Sequence, residues 1–520
     1  MILSLATSIL PFIIHGAPQI RIHDEAANLL AAETFASGRL TNSSPQPAEF
    51  FETLHVLVEP SYQAKYPPGQ ALYLAVGELL SHPIVGIWLS SLLLVLSVYY
   101  AARAIVTPTH AFIGGLLTIL LFGSVFYWNY SYWGGNVAAI GGALTIGGAW
   151  RTCRGGSWRD SLLMGAGVSH LLLGRPFEGA VACLPIATWL MINLVAHHRW
   201  HFWKPLMPAG VLFAATVVFQ LVLNSAVTGN PLQSPYILYE ERYSFTPLFW
   251  FQPIAESRNY TQPILDLFYN DQIYPMVKNF TFMSRGLPTA VSTFIKLFAW
   301  SMIPYLLLAL LHKQARLAAV TALIVLGASL LSFYNYPHYY GPIAGMGIVA
   351  IVSGHAIALQ RLSTKRLRLA WWGVGAIAVA LVCVKLPQRW QWYKFDSPIV
   401  SAFYEALDQM EDVGQKSVAL ISIEHPSFTH LPLIYNEADW QNATVLRAHD
   451  LGARNVELIR AFPDRLFWRL RITGQGIRIQ LLYRPGDPLP AANAEQTDGK
   501  GEEKRLPAGG NEEGAGDNQP

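Results

Sequence analysis

Charge is sparse in this chain: Asp, Glu, Lys and Arg make up 13% of its 520 residues, against 52% hydrophobic ones. An ordinary soluble enzyme carries about a quarter charged residues, so that class is excluded. Cysteine is scarce too. Cys153, Cys183 and Cys383 lie singly in or beside apolar segments, which supports neither a disulfide framework nor a thiolate metal site and leaves the redox compartment open. The net charge of +3 comes with no basic stripe outside the short connecting loops, so nothing marks a nucleic-acid partner. No internal repeat is visible. What the chain has in abundance is tryptophan, 16 residues of it, and apolar runs of about 15 to 23 residues. This is the composition of a polytopic α-helical membrane protein that lives in a lipid bilayer.

Hydropathy and polar breaks predict about eleven spans, at 2–15, 83–105, 110–127, 136–150, 161–174, 178–196, 207–225, 289–311, 317–333, 341–360 and 369–386. The first is the weakest. It contains Pro11 and has no basic residue before it, which suits neither a strong span nor a cleaved signal peptide and leaves a start further upstream open. The short loops after spans two, four, six, eight and ten carry Arg103; Arg151, Arg154 and Arg159; Arg199 and Lys204; Lys313 and Arg316; and Arg361, Lys365, Arg366 and Arg368. That is twelve Lys/Arg, against Arg175 alone in the three short loops on the opposite side. The bias predicts an inside N-terminus and an outside C-terminus. The outer loops 16–82 and 226–288, and everything after 386, then face a bacterial periplasm from the inner membrane.

Three regions follow: a transmembrane domain over 1–386, an extracytoplasmic α/β domain over 387–485, and a tail over 486–520. In the second, 402–410 and 456–462 read as helices and 418–423, 443–447, 466–472 and 477–483 as strands. The tail is rich in Gly, Pro, Asn and Glu with almost no large apolar residues, which predicts disorder. In the first outer loop, Asp24 to Ser37 places Ala26, Ala27, Leu29, Leu30, Ala32 and Phe35 against Glu25, Asn28, Glu33 and Ser37. This predicts an amphipathic helix along the membrane face, stopped at Gly38. After the Pro67-Pro68-Gly69 break, 71–80 reads as a second interfacial helix.

Taken together, Asp24-Glu25 after the first span, the helix ending in Gly38-Arg39-Leu40, the Lys65-Tyr66-Pro67-Pro68-Gly69 element and the C-terminal outer domain resemble the GT-C membrane glycosyltransferases. That superfamily includes the protein O-mannosyltransferases and the lipid A aminoarabinose transferases. The resemblance is best over residues 15 to about 200 and extends in architecture to 386. It implies a sugar donor carried on polyprenyl phosphate, and an acidic residue of the first outer loop as general base. By position Asp24 is that base, with Glu25 as neighbour or substitute, and Lys65 contacts the lipid phosphate. A base within reach of the acceptor hydroxyl contributes about 10²–10⁴-fold. Arg175, an ionisable group at a membrane boundary, is a candidate second phosphate contact.

Each residue has a plainer role as well. Asp24 fits a helix N-cap, Glu25 a first-turn dipole partner, Lys65 a snorkelling lysine and Arg175 a structural pair with Glu178. Tyr66, Trp133, Tyr243, His338 and Tyr339 are candidates to line a substrate cavity, although an interfacial aromatic girdle accounts for such residues too. The His197-His198-Arg199-Trp200-His201 cluster has no carboxylate and reads as a basic inner loop; His23-x-Glu25 is too thin for a metal. No cofactor is expected, and a divalent ion is left open. The expected function is transfer of a monosaccharide, with inversion, from a polyprenyl-phosphate donor to a glycan, lipid or protein acceptor of the cell envelope. Two other classes compete: a lipid or polysaccharide transporter or flippase, and a non-catalytic envelope-assembly scaffold.

Overall fold

The computed structural model describes residues 1–198, 203–388, 397–424, 428–489 and 504–507. Six of its helices are long and apolar enough to cross a bilayer: Pro83–Ala102, Pro108–Val125, Pro176–Ala196, Lys204–Thr228, Pro337–Arg361 and Lys365–Gln388. The pair Phe282–Phe298 and Trp300–Leu311, bent by 75°, is a seventh if it is one span. The chain is an integral multi-pass membrane protein. The other four expected spans coincide with helices too short to pass this test alone: α1 (Ile2–His15), α6 (Asn136–Thr152), α7 (Trp158–Gly174) and Ala315–Ser329. The longest, α6 and α7, have 17 residues, or about 26 Å at 1.5 Å per residue, against a hydrocarbon core of about 30 Å. Helix length and composition alone give six crossings among the described residues, or seven with the bent pair.

Packing in lipid relies on close backbone approach rather than on apolar burial. A Cβ on Gly141 of α6 would lie 2.8 Å from the Gly167 carbonyl oxygen of α7, and one on Gly167 would lie 2.7 Å from that of Gly141. On another side of α6, a Cβ on Gly142 would overlap the Pro342 carbonyl. Pro337–Arg361 is the central helix, with 89% of its apolar window buried; Lys365–Gln388 is peripheral, at 11%.

Above the bundle, α2 (His23–Ala36) departs from the amphipathic surface helix expected of it. His23, Glu25 to Ala32 and Thr34 are all buried. The reason is a sheet supplied from the far end of the chain. Strands β3 (Ser417–Ile423), β4 (Val445–His449), β5 (Leu466–Thr473), β6 (Gly476–Tyr483) and β7 (Lys504–Pro507) pair in the order β4-β3-β5-β6-β7. β3 is parallel to β4 and β5, and the other pairs are antiparallel. Alternation along β3 sends Val418 and Leu420 into one core with Ala27 and Leu30 of α2, and Ala419 and Ile421 into another with Phe403 and Leu407 of helix Pro398–Glu411. Leu30 is 0% exposed, and truncating such a residue to alanine costs about 2–5 kcal/mol. β7 falls within the stretch expected to be disordered; apart from it, that stretch from 490 onward lies outside the described residues.

Side chains reinforce this union. Tyr435 Oη and the Ala438 N–H donate to the two oxygens of Glu33 at 2.7 and 2.8 Å, Tyr62 donates to the Asn436 carbonyl at 2.8 Å, and a His23 ring nitrogen meets the Thr429 carbonyl at 2.9 Å.

Candidate active site

Asp24 lies in the first turn of α2, but the N-cap position belongs to Ile22. Its carboxylate turns instead to Tyr66, whose O–H donates to Oδ1 at 2.6 Å. Oδ2 faces His55 Nε2 at 3.7 Å. Burial pushes the Asp24 carboxyl above the usual carboxylate range, opposed by the Tyr66 hydrogen bond and the charges of Lys65 and Arg175. The side chain keeps 26% exposure, so it is enclosed by protein while remaining reachable.

Glu25 points elsewhere. It accepts the Arg21 N–H at 2.8 Å and the Tyr132 N–H at 3.1 Å, which ties the start of α2 to the turn before α6. Its pKa is raised by burial and drawn down by those two bonds. Of the expected acidic pair, only Asp24 faces the basic groups.

Lys65 follows the short hairpin of β1 (Val56–Leu57) and β2 (Gln63–Ala64). It does not snorkel: it is 5% exposed and its ammonium donates to Glu240 Oε1 at 2.7 Å. Glu240 stands on α10 (Pro235–Tyr243), in the long loop. The ammonium also sits 4.4, 4.9 and 5.6 Å from the ring centres of Tyr239, Tyr236 and Tyr66. Arg175, at the junction of α7 and α8 (Pro176–His198), stacks 4.3 Å above the Tyr339 ring. Among the described residues no carboxylate makes an ion pair with it, so the expected Arg175–Glu178 pair is not formed. Asp24, Lys65 and Arg175 thus meet from three separate elements, near enough for both cations to act on the carboxyl.

The remaining expected residues divide. Tyr66 and Tyr339 belong to this cluster. His338 is 2% exposed, bonded to Tyr127 Oη at 2.7 Å and edge-on to the half-buried Trp133 at 4.4 Å and to Tyr339 at 4.7 Å, where the Arg175 charge acts on it. Tyr243 donates to Glu52 at 2.9 Å and its ring lies tilted against that of Tyr239. In the His197–His201 cluster, Arg199 to His201 lie outside the described residues. Among the described residues, no three His, Cys, Asp or Glu come close enough to hold a metal ion.

Three participants are not among the site residues expected from the sequence. His55 adopts φ +66°, a left-handed conformation uncommon outside glycine; its N–H donates to Tyr239 Oη at 2.9 Å and its carbonyl accepts the Lys65 N–H at 3.0 Å. Burial, and then the charge of Lys65, hold its ring well below the ordinary histidine range, so it is neutral. His430 comes from the C-terminal sheet region and feels the Asp24 charge. Glu240 is the third. A local cue existed only for His55, which sits in the loop between two recognisable elements.

No protein-family model matches the chain, and no curated protein matches it. The fold does match solved structures. ArnT from Cupriavidus metallidurans bound to undecaprenyl phosphate superposes with TM-score 0.50 at 15% identity, covering 90% of this chain and 92% of that one, and apo ArnT gives the same values. An Archaeoglobus fulgidus oligosaccharyltransferase in complex with zinc and sulfate has TM-score 0.49 at 10% identity, covering 90% and 67%. At this identity the likeness is one of fold, the fold that ArnT adopts.

Proposed function

We propose, on the premise of this fold, that the chain is a GT-C glycosyltransferase moving a monosaccharide from a polyprenyl-phosphate donor to a hydroxyl acceptor at the outer face of a bacterial inner membrane. The observation that carries the reading is the convergence of one reachable carboxylate, Asp24, with two cations, Lys65 and Arg175, at a single end of the bundle. Positive-inside bias assigns that end to the outer side.

Each residue has a task. Lys65 and Arg175 neutralise the donor phosphate, the first as a compact ammonium and the second as a planar fork. Phe177, 39% exposed and two residues beyond Arg175, begins an aromatic ridge with Phe249 and Phe251, which offers the isoprenoid chain an apolar surface. Asp24 Oδ2 takes the acceptor's proton as its oxygen bonds to the anomeric carbon. The C1–phosphate bond breaks on the opposite side, its electrons leave on the polyprenyl phosphate, and the sugar is inverted. Charge balances, because the dianion gained on the leaving lipid offsets the carboxylate neutralised at Asp24.

The test is transfer from a radiolabelled polyprenyl-phosphate sugar in proteoliposomes. Asp24→Asn should lose about 10²–10⁴-fold; full transfer by that variant would remove Asp24 as base. Movement of the labelled lipid between leaflets with no acceptor glycosylated would replace transfer by transport.

A further inference from the structure

The histidine facing the candidate base has no role in the chemistry above, and its surroundings are specific. Its ring packs against His23, Tyr66, Tyr239 and Phe268 at centroid distances of 6.4, 5.5, 6.1 and 6.1 Å. Nδ1 is buried with no partner, and the backbone is fixed on both sides by the Tyr239 and Lys65 bonds. The one functional atom Nε2 faces is Asp24 Oδ2, the carboxylate oxygen that Tyr66 leaves free. Their separation of 3.7 Å is too long for a hydrogen bond, yet it is spanned by one oxygen lying about 2.8 Å from each.

We infer that His55 Nε2–H and Asp24 Oδ2 together clamp the acceptor hydroxyl, so that His55 aims the nucleophilic oxygen while Asp24 removes its proton. This rests on the reading of Asp24 as base. The oxygen gives its hydrogen to Oδ2, receives the His55 N–H on one lone pair and attacks with the other. The acceptor is thereby an alcohol: an ammonium has no lone pair for the His55 donor, and a neutral amine has only the one it needs for attack. Burial first, then the charge of Lys65, with His23 and His430 acting in the same direction, keeps the ring uncharged, so His55 does not compete with Asp24 for the proton. The left-handed backbone at His55 is the strain that a positioning role accounts for.

A cryo-EM map of the full chain in lipid nanodiscs, at a resolution that shows waters, reads this directly because water takes the acceptor's place. One ordered oxygen within hydrogen-bond reach of both His55 Nε2 and Asp24 Oδ2 is expected. An empty gap, or the two side chains bonded directly, overturns the clamp. In transfer assays with a polyprenyl-phosphate hexose as donor and octyl glucoside as acceptor, His55→Leu should raise the acceptor KM about tenfold with the donor KM unmoved, and His55→Gln, which keeps an N–H donor, should recover most of it. An unchanged acceptor KM in His55→Leu, with Asp24→Asn inactive, removes the clamp and leaves the base. An active Asp24→Asn removes both.

Discussion

Tyr66 donates its phenolic hydrogen to Asp24 Oδ1 at 2.6 Å, leaving Oδ2 to face His55 Nε2 at 3.7 Å. Such a bond favours the ionised carboxylate and works against the burial that favours the neutral acid. Tyr66→Phe should therefore raise the Asp24 pKa further. Because the base works ionised, the acid limb of the kcat/KM profile should move to higher pH while the plateau persists. A limb that stays put, or moves to lower pH, would show that Asp24 does not set it.

Glu25, next in sequence, should behave oppositely. Its carboxylate satisfies two backbone N–H groups and nothing in the cluster. Leaving buried donors unpaired costs about 1–3 kcal/mol each. Glu25→Ala should lower the unfolding temperature and reduce active protein, with kcat per folded molecule within about threefold of the parent, whereas Asp24→Asn should do the reverse. Thermal unfolding and active-fraction titration separate the two.

The Lys65–Glu240 pair occupies the ammonium assigned to the donor phosphate. Removing one partner of a buried pair strands the other charge, at a cost of about 3–5 kcal/mol. Glu240→Gln should lower the unfolding temperature in detergent, and undecaprenyl phosphate should restore more stability to it than it adds to the parent, because the phosphate then supplies the missing anion. An equal ligand-induced shift in both proteins would place the phosphate away from Lys65.

Glu33 gives a pH-dependent contact between α2 and the sheet. Burial raises its pKa to about 7 in the fold, from 4.5 when unperturbed. The folded state then holds the extra proton between those values, so its contribution is full below about pH 4.5 and is lost as pH rises toward 7. Glu33→Gln should flatten that part of the stability profile. Unfolding temperatures measured across pH 4.5 to 8 check this, and an unaltered slope would assign it to other groups.

The sequence was most legible where the signal is local. Each strand proposed between 418 and 483 lies within two residues of an observed one, because short runs rich in Val, Ile, Leu and aromatic residues are written along each segment. Asp24 and Lys65 were legible because each stands beside a short motif, and the structure brings them together. What escaped was whatever depends on contacts between distant segments. Glu240 meets Lys65 across 175 residues and Tyr435 meets Glu33 across 402, and no window of sequence contains both partners. The same cause explains α2: its polar Asn28 and Thr34 suggest a wet face until the sheet arrives to cover it.

The peripheral place of Lys365–Gln388 bears on how the two halves of the molecule stay together. With 11% of its apolar window covered by protein, this helix is a leash more than a bracket, and the sheet beyond it is seated by α2 and the first loop. A protease cut engineered after that helix should leave the sheet bound to the bundle, so that the two fragments copurify as a non-covalent pair. The C-terminal portion is in that sense a built-in subunit, tethered for stoichiometry and held by its fit.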